Sequence, residues 1–253
     1  MIFDTHAHYD DEQFDADRDA LLAAMPDAGV GLILDPGCDL DTSRRAVELA
    51  ERYPHVCAAV GYHPENCAPF VPSDIDVLRE LAKRPKVVAI GEIGLDYHYD
   101  KDWEIKQKEY FDAQLSLSEE LCLPVIIHDR DAHGDVFDMI RAHPKARGII
   151  HSCSESAEMV KEYVKMGWYI SFSGVITFKN ASKILESVKA TPKDRILVET
   201  DCPYLAPVPM RGRDNTSAYL HFTAEKAAEV LGIDYDEFVR VSTDNAKRVY
   251  GIR

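Results

Sequence analysis

The chain of 253 residues is predicted to be an α/β protein, a (β/α)8 TIM barrel that forms a single domain over residues 1–253. Two observations predict this class: eight short apolar runs each precede a helical pattern, and no low-complexity linker interrupts the series. An open Rossmann sheet is disfavoured because the segment HAHYDDEQ, at the end of the first run, lacks a glycine-rich fingerprint.

The eight apolar runs predict strands because they are short and rich in residues that favour β structure. In chain order the predicted strands are Ile2–His8, Gly31–Asp35, His55–Gly61, Lys86–Ile93, Leu123–His128, Gly148–His151, Trp168–Ser173 and Ile196–Thr200. Between them, apolar residues recur every three to four positions, which predicts helices. The predicted helices are Ala16–Met25, Thr42–Tyr53, Ser73–Ala82, Glu104–Leu121, Asp135–His143, Ala157–Met166, Ala181–Val188, His221–Leu231 and Tyr235–Tyr250. The stretch Pro203–Ser217, rich in Pro, Arg, Gly and Asn, is predicted to be a long loop over the active face.

Composition and charge exclude several classes of protein. The chain is 46% hydrophobic and 29% charged, as in an ordinary globular enzyme. It begins without a secretory signal and has no apolar run long enough to span a bilayer, so no membrane partner is expected. Its six cysteines contain no CxxC pair and are predicted to be reduced thiols of a cytoplasmic protein. The net charge of −15 argues against broad binding of duplex DNA, although bound divalent cations would supply local positive charge to a nuclease.

Residues of metal-ligand type lie at the ends of five predicted strands. They are His6, His8, Glu92, His128, His151 and Asp201. In a (β/α)8 barrel the carboxyl ends of the strands meet at the face where the chemistry takes place, so these residues predict a divalent-metal hydrolase site. Since side chains two apart on a strand point the same way, His6 and His8 are expected to reach one ion.

Each ligand candidate also has a structural interpretation. His6 and His8 could be a pair of surface histidines near the N-terminus. Glu92 would be costly to bury without a metal ion or a salt bridge, and either partner is compatible with the sequence. His128 and His151, taken singly, are more often hydrogen-bonded core histidines. Asp201 is predicted to lie nearer the mouth than Glu199 and is the preferred ligand and general base, although one of the two carboxylates could instead cap the next helix.

Other side chains near the predicted site are candidates for contacts with a substrate. His63, in GYHPE, is not needed as a metal ligand; it either donates to a phosphate or is a structural histidine held by the following turn. Asp96 and Tyr97, in the loop after the fourth strand, either support a ligand or contact substrate. Aromatic residues of the active-face loops either stack on bases or pack the barrel: Tyr62, Tyr97, Tyr99, Trp103 and Tyr204.

The motifs DTHAHYD, GYHPE, GEIGLDY, PVIIHDRDAHGD, IIHSCS and ILVETDCPYL resemble those of the TatD-like metal-dependent hydrolases, a branch of the amidohydrolase-like TIM barrels. They follow one another over most of the chain. The resemblance implies two divalent metal ions per subunit, either Mg, Mn or Zn. One ion would take His6, His8, Glu92 and Asp201 as ligands. The other would take Glu92, His128 and His151, so that Glu92 bridges the two ions.

The resemblance also implies an activity, that of a deoxyribonuclease. It would be a 3′ exonuclease acting on DNA ends or single-stranded DNA through a water activated by the two ions. The expected catalytic residues are Asp201, Glu92 and His63. The expected substrate contacts are His63, Tyr97, Arg211, Arg213 and Asn215. No obligate protein partner is evident.

One loop departs from the family pattern and leaves other functions open. After the eighth strand, the family's Arg-Asn-Glu-Pro-like stretch is matched by Arg213-Asp214-Asn215-Thr216-Ser217, which keeps Asn215 and replaces Glu-Pro by Thr-Ser. A second function is therefore hydrolysis of a carboxylic ester, lactone or amide by the same metals. A third, a non-catalytic metal-binding barrel, is disfavoured by the complete set of ligands.

Overall fold

The computed structural model of the chain describes residues 1–98 and 103–252. Within these residues, eight strands alternate with helices, and nine helices are of the α type. The strands are β1 (Ile2–Asp4), β2 (Val30–Pro36), β3 (Val56–Val60), β4 (Val87–Asp96), β5 (Val125–Arg130), β6 (Gly148–Ile150), β7 (Tyr169–Phe172) and β8 (Ile196–Val198). The helices are α1 (Arg18–Ala24), α2 (Leu40–Arg52), α3 (Asp74–Leu81), α4 (Glu104–Leu121), α5 (His133–Ala142), α6 (Ala157–Lys165), α7 (Ser182–Ala190), α8 (Leu220–Leu231) and α9 (Tyr235–Tyr250). The strands follow one another in the sheet in chain order, so the predicted (β/α)8 class is confirmed.

Two of the predicted helices agree with the structure at both ends, and of these α9 alone has a side-chain cap at its start. Both ends of α4 and α9 coincide with the prediction. At the start of α9, Oδ1 of Asp234 accepts hydrogen bonds from the N–H groups of Asp236, at 2.8 Å, and Glu237, at 3.4 Å. At its end, Gly251 has a left-handed φ of 68°. Such capping chemistry is local, and a sequence therefore reveals it.

Strand ends were predicted less well, and the differences fall at the predicted ligands. β1 ends at Asp4, so the prediction of a strand through His8 is wrong. β8 ends at Val198, before the predicted end. In contrast, β4 continues beyond Glu92 to Asp96, and β5 continues beyond His128. Apolar periodicity cannot locate these ends, because polar ligand residues interrupt the pattern in either case.

The contacts divide the chain into two compact units, which we call unit 1 (Met1–Asp35 and Ser152–Arg253) and unit 2 (Pro36–His151). In unit 1, β1 pairs with β2 and β7 pairs with β8, in parallel. In unit 2, the strands from β3 to β6 pair in series, also in parallel. Their apolar residues are mostly buried, as parallel strands covered on both faces require. Over the described ranges, none of the helices combines the length and the apolar composition needed to cross a bilayer.

Gly94 determines how closely β4 and β5 approach each other beside a predicted ligand. It pairs with His128 across the two strands and has a φ of 148°. A Cβ atom added to Gly94 would lie 1.9 Å from the carbonyl oxygen of His128. Glycine is therefore the residue that this register tolerates, for both steric and conformational reasons.

We expect Gly94→Ala to lower the free energy of unfolding by about 3 kcal/mol or more, because steric overlap and backbone strain add. Gly134→Ala is the matched control, since an added Cβ there meets no atom within 4 Å. Gly134 lies in α5, where alanine favours the helix, so this control should keep or slightly gain stability. Chemical denaturation of both variants measures the difference, and equal stabilities would contradict the role assigned to Gly94.

Candidate metal centre

Two imidazoles and a carboxylate converge in unit 1, and we call His6, His8 and Asp201 the first cluster. Nε2 of His6 lies 3.0 Å from Nε2 of His8. Oδ1 of Asp201 lies 3.7 Å from the first of these nitrogens and 3.5 Å from the second. Both histidines are buried, whereas the Asp201 side chain is 15% exposed. The two imidazoles therefore face a common point, as expected, and the carboxylate at that point reaches solvent.

Backbone pairing between two chain segments brings the first cluster together. Because β1 ends at Asp4, strand alternation does not align the imidazoles. Instead, the Asp201 N–H donates to the carbonyl of His6 at 2.9 Å, and the His8 N–H donates to the carbonyl of Cys202 at 2.8 Å. Asp201 also has a left-handed φ of 58°. Such a conformation is unfavourable for most residues other than glycine, and it often occurs at functional sites.

Asp4 is a residue of the site that the sequence pattern did not reveal. Its Oδ1 accepts a hydrogen bond from the N–H of Thr200 at 2.9 Å, and its Oδ2 accepts one from the Thr200 hydroxyl at 2.6 Å. Burial raises the pKa of Asp4 to about 7, although hydrogen bonds from Ser217 and Thr200 oppose this shift. Since Thr200 directly precedes Asp201, Asp4 fixes the position of that ligand. The sequence feature that could have identified Asp4 is a carboxylate at the end of an apolar strand.

Two further carboxylates are buried beside the first cluster. Oδ1 of Asp10 lies 3.8 Å from Nδ1 of His8, and the N–H of Asp10 donates to Oδ1 of Asp35 at 3.4 Å. Desolvation raises the pKa of both carboxyls, and the charge of Asp10 raises the pKa of Asp35 further. A cation beside His8 would offset the cost of burying these acids, because an opposite charge nearby stabilises the ionised form.

A second cluster lies in unit 2 and is centred on Glu92, with His63, His128 and His151 around it. Oε1 of Glu92 lies 2.8 Å from Nδ1 of His128, 3.5 Å from Nε2 of His151 and 3.7 Å from Nε2 of His63. The Glu92 side chain is only 3% exposed. A carboxylate buried to this extent needs compensation, from protonated imidazoles or from a shared cation.

His128 is held between two carboxylates. Its Nδ1 faces Glu92, and its Nε2 lies 3.0 Å from Oδ2 of Asp96. Desolvation alone would lower the pKa of His128, but the hydrogen bonds with Asp96 and Glu92 outweigh it and raise the pKa to about 10. With a cation between His128 and Glu92, Nε2 would keep its proton and donate to Asp96, an arrangement that commonly orients metal-binding histidines. Asp96 therefore supports a ligand candidate.

His63 is positioned as a hydrogen-bond donor. Its Nδ1 accepts a hydrogen bond from the N–H of Glu65 at 3.2 Å. A neutral imidazole that accepts at Nδ1 carries its proton at Nε2, the nitrogen that faces Glu92. His63, Glu92 and His128 offer atoms close enough to share an ion. A protonated nitrogen cannot bind a cation, so we assign His63 to hydrogen bonding and leave metal binding to the other imidazoles.

The donor atoms in each cluster fit a divalent cation. Donor atoms bound to one ion at about 2.0–2.2 Å, at angles of about 90–115°, are separated by about 2.8–3.7 Å. Separations in the first cluster run from 3.0 to 3.7 Å. In the second cluster, Glu92 lies 2.8 Å from His128 and 3.5 Å from His151. Imidazole suits Zn and carboxylate suits Mg and Mn, so this mixed donor set is compatible with all three metals.

Two of the predicted substrate contacts have their polar atoms engaged within the chain. The Tyr97 hydroxyl donates to Oδ2 of Asp135 at 2.7 Å. Asn215 is fully buried, and its Nδ2 donates to the carbonyls of Thr200, at 2.9 Å, and Tyr204, at 2.7 Å. Asn215 thereby ties the loop over Pro203–Ser217, which we call the late loop, to the chain just after β8, where the carboxylate of the first cluster lies. Direct contact of either residue with substrate stays a prediction.

The late loop also presents two exposed cations, Arg211 and Arg213. The guanidinium carbon of Arg211 lies 4.1 Å from the ring centroid of Phe178, a cation–π contact. Glu199, in contrast, is buried, and its Oε1 accepts a hydrogen bond from the N–H of Ser152 at 2.7 Å. Tyr99, an aromatic candidate for base stacking, lies outside the described residues.

Comparisons with known proteins agree over the whole chain. The family model of the TatD related DNases matches residues 3–251. The chain is 43% identical over 254 residues to the metal-dependent hydrolase YabD of Bacillus subtilis, with 100% of each chain covered. It is 32% identical to the 3′-5′ ssDNA/RNA exonuclease TatD of Salmonella typhimurium, with 99% of each covered. The crystal structure of YJJV, a TatD homologue from Escherichia coli, has a TM-score of 0.94 and 29% identity, and the match covers 100% of this chain and 98% of that one.

We expect Asp96→Asn to weaken binding of a divalent metal by about tenfold to a hundredfold, because the anionic acceptor for His128 is lost. The protein should stay folded. In the wild type the N–H of His98 donates a hydrogen bond to Oδ1 of Asp96 at 2.8 Å, and the side-chain oxygen of asparagine can still accept it. Calorimetric titration with Mn²⁺ measures the affinity. Asp131→Asn is the control, because that exposed carboxylate pairs with the His98 ring and not with His128. An unchanged affinity in Asp96→Asn, or an equal loss in the control, would refute the assignment.

Proposed function

Because the chain belongs to the family of TatD related DNases, we propose that this metal-dependent hydrolase cleaves phosphodiester bonds at the 3′ end of single-stranded DNA. The observation that carries the proposal is the carboxylate of Glu92, buried among the imidazoles of His63, His128 and His151. The exonuclease among its relatives, which acts on single-stranded DNA and RNA, supports this substrate class.

The proposal includes two divalent ions, either Mg, Mn or Zn. We propose His6, His8 and Asp201 as ligands of one ion, because their donor atoms share a common point. Glu92, His128 and His151 are the proposed ligands of the other, on the evidence of their separations. The bridging of both ions by Glu92 stays a prediction of the family resemblance.

Asp201 is the proposed general base. Divalent ions, when bound, would polarise the phosphoryl group and lower the pKa of the attacking water. The Asp201 carboxylate is partly exposed, unlike the other carboxylates of its unit that lie near the first cluster, and so can exchange protons with solvent. In the proposed reaction Asp201 accepts a proton from the attacking water and passes it to the leaving oxygen.

His63 and the late loop are proposed to hold the phosphate. The Nε2 proton of His63 would be donated to an oxygen of the scissile phosphate as charge develops there. Arg211 and Arg213 are proposed to contact phosphates of the strand through their exposed guanidinium groups. Tyr97 would contact substrate through its ring, since Asp135 holds its hydroxyl. Asn215 would act indirectly, by holding the loop.

We also propose that the protein works in the cytoplasm and without an obligate protein partner. The support for this location is the cysteine pattern, which contains no CxxC pair, in a chain of this size. A fractionation of cells that express the protein at native level would test the location.

The function is tested with a 5′-labelled single-stranded oligonucleotide and full-length protein from which metal has been removed. Addition of Mg²⁺, Mn²⁺ or Zn²⁺ should restore a ladder of products shortened from the 3′ end. Glu92→Ala should give no ladder under any of the three metals, because the central carboxylate of the second cluster is lost. Absence of cleavage by wild-type protein with bound metal would contradict the proposal. Hydrolysis of a carboxylic ester or lactone by that same protein would favour the second function instead.

We expect Asp201→Asn to retain bound metal while kcat on the oligonucleotide falls by about a hundredfold to ten-thousandfold, because the amide cannot accept the proton. Asp214→Asn, an exposed residue of the late loop, is the control and should keep full activity. Metal content is measured by elemental analysis alongside the rate. Turnover near the wild-type value in Asp201→Asn would remove Asp201 from the role of base.

A further inference from the structure

A pocket of about 220 Å³ lies in unit 2, next to the second cluster. Its lining includes Pro64, Cys67, Ala68 and Trp103, which supply apolar and aromatic surface, and the acids Glu65 and Asp96. The proposed roles of the metal ligands, of Asp201 and of His63 make no use of this pocket.

The pocket adjoins side chains that the proposed reaction uses. Asp96 lines it and lies 3.0 Å from the imidazole of His128. Pro64 and Glu65 also line it; they directly follow His63, and the N–H of Glu65 donates to the His63 ring. A group bound in the pocket would therefore be next to the residues proposed to act on the phosphate.

Trp103 presents an aromatic ring to this pocket. Trp103 is 39% exposed, whereas the other tryptophan of the chain, Trp168, is 2% exposed. Nζ of Lys106 lies 5.5 Å from the centroid of the Trp103 ring and donates a hydrogen bond to the carbonyl of Ala68. Lys106 thus ties two walls of the pocket together. An open aromatic ring on a fixed wall is a platform on which a planar group can stack.

Most polar groups of the pocket are already engaged. The side-chain amide of Gln107 accepts from the N–H of Asp96 and donates to its carbonyl, both at 2.9 Å. The carboxylate of Asp96 accepts from the N–H of His98 at 2.8 Å and contacts His128 at 3.0 Å. Glu65, whose side chain is 46% exposed, is the acid left to face a ligand. The pocket therefore favours a flat, largely apolar group and offers little to distinguish one such group from another.

We propose that this pocket binds one nucleobase of the substrate strand, that of the terminal nucleotide, stacked on Trp103. The inference rests on the proposed nuclease function and deepens it. Because stacking and not hydrogen bonding supplies the affinity, the pocket accepts all four bases, and purines bind somewhat better through their larger ring area. An exonuclease that shortens strands of any sequence requires this tolerance.

Tryptophan fluorescence of the metal-loaded full chain tests binding without any turnover. Titration with dAMP should quench emission to a saturating level, because the exposed indole of Trp103 contacts the base. Deoxyribose 5-phosphate, which lacks a base, should leave emission unchanged. Trp103→Phe should abolish the quench, since the buried Trp168 alone then emits. Absence of a saturable quench by dAMP, or an equal quench by the sugar phosphate, would overturn the proposal.

Kinetics on a single-stranded oligonucleotide give a second test. Trp103→Ala should raise KM by about fivefold to a hundredfold, the range found when a stacking residue is removed. The kcat at saturation should stay within about twofold, because the residue does not act on the phosphate. Trp103→Phe should restore most of the affinity. Ile105→Ala is the matched control, because Ile105 lies two residues after Trp103, is 76% exposed and does not line the pocket.

An oligonucleotide with an abasic residue at its 3′ end separates base stacking from other effects. Its KM should be the same for wild type and Trp103→Ala, and a KM that rises equally on abasic and normal substrates would overturn the proposal. If the wild-type protein cleaves no DNA, the proposed function fails. The fluorescence titration then still shows whether the pocket binds a nucleobase. If the wild-type protein is active and Trp103→Ala leaves KM unchanged, the proposed base binding in the pocket is wrong, whereas the proposed nuclease function is unaffected.

Discussion

The burial of carboxylates is the constraint on which the candidate site depends. An ionised carboxylate removed from water is costly unless opposite charge or hydrogen-bond donors compensate it. Glu92, inside β4, meets this requirement with imidazole nitrogens at 2.8–3.7 Å. Two of these imidazoles are held on their other side as well: Asp96 contacts His128, and the N–H of Glu65 donates to His63. The organisation of the second cluster thus extends outward from one buried charge.

The residues of the first cluster are held in place mainly by hydrogen bonds of the backbone. The segments after β1 and β8 exchange hydrogen bonds, and Asp4 holds Thr200 by two more. Each such bond contributes only about 0.5–1.5 kcal/mol net, but a buried donor left without its acceptor costs about 1–3 kcal/mol. The arrangement is therefore difficult to loosen one contact at a time. His6, His8 and Asp201 are held in place by these bonds before any cation binds.

An acidic chain has to bind a polyanionic substrate by means other than a basic surface. With a net charge of −15, long-range attraction of nucleic acid is unfavourable, and charge neutralisation must be local. A divalent cation bound at a cluster, or an exposed guanidinium group such as that of Arg211 or Arg213, would supply positive charge of this local kind. The pocket beside Trp103 complements them, because it would contact the base, which is the uncharged part of a nucleotide. Charge and stacking would then act on different parts of the same ligand.

The sequence alone determined the features of this protein that depend on neighbouring residues. Apolar periodicity predicted the alternation of strands and helices, and the caps Asp234 and Gly251 explain why α9 was located at both ends. The types of ligand residue near the strand ends were also evident, because a carboxylate next to a buried apolar run needs a partner, and carboxylates are seldom fully buried without one.

Only the tertiary structure decided how these residues are held. Asp4 and Thr200, whose hydrogen bonds position Asp201, are 196 residues apart in the chain. The pairing of Asp96 with His128 spans 32 residues. The pocket beside Trp103 joins residues from separate segments of unit 2. Local patterns report the propensity of a segment to form a helix or strand. They carry no information on which distant side chain meets a given atom, since that depends on how the elements pack.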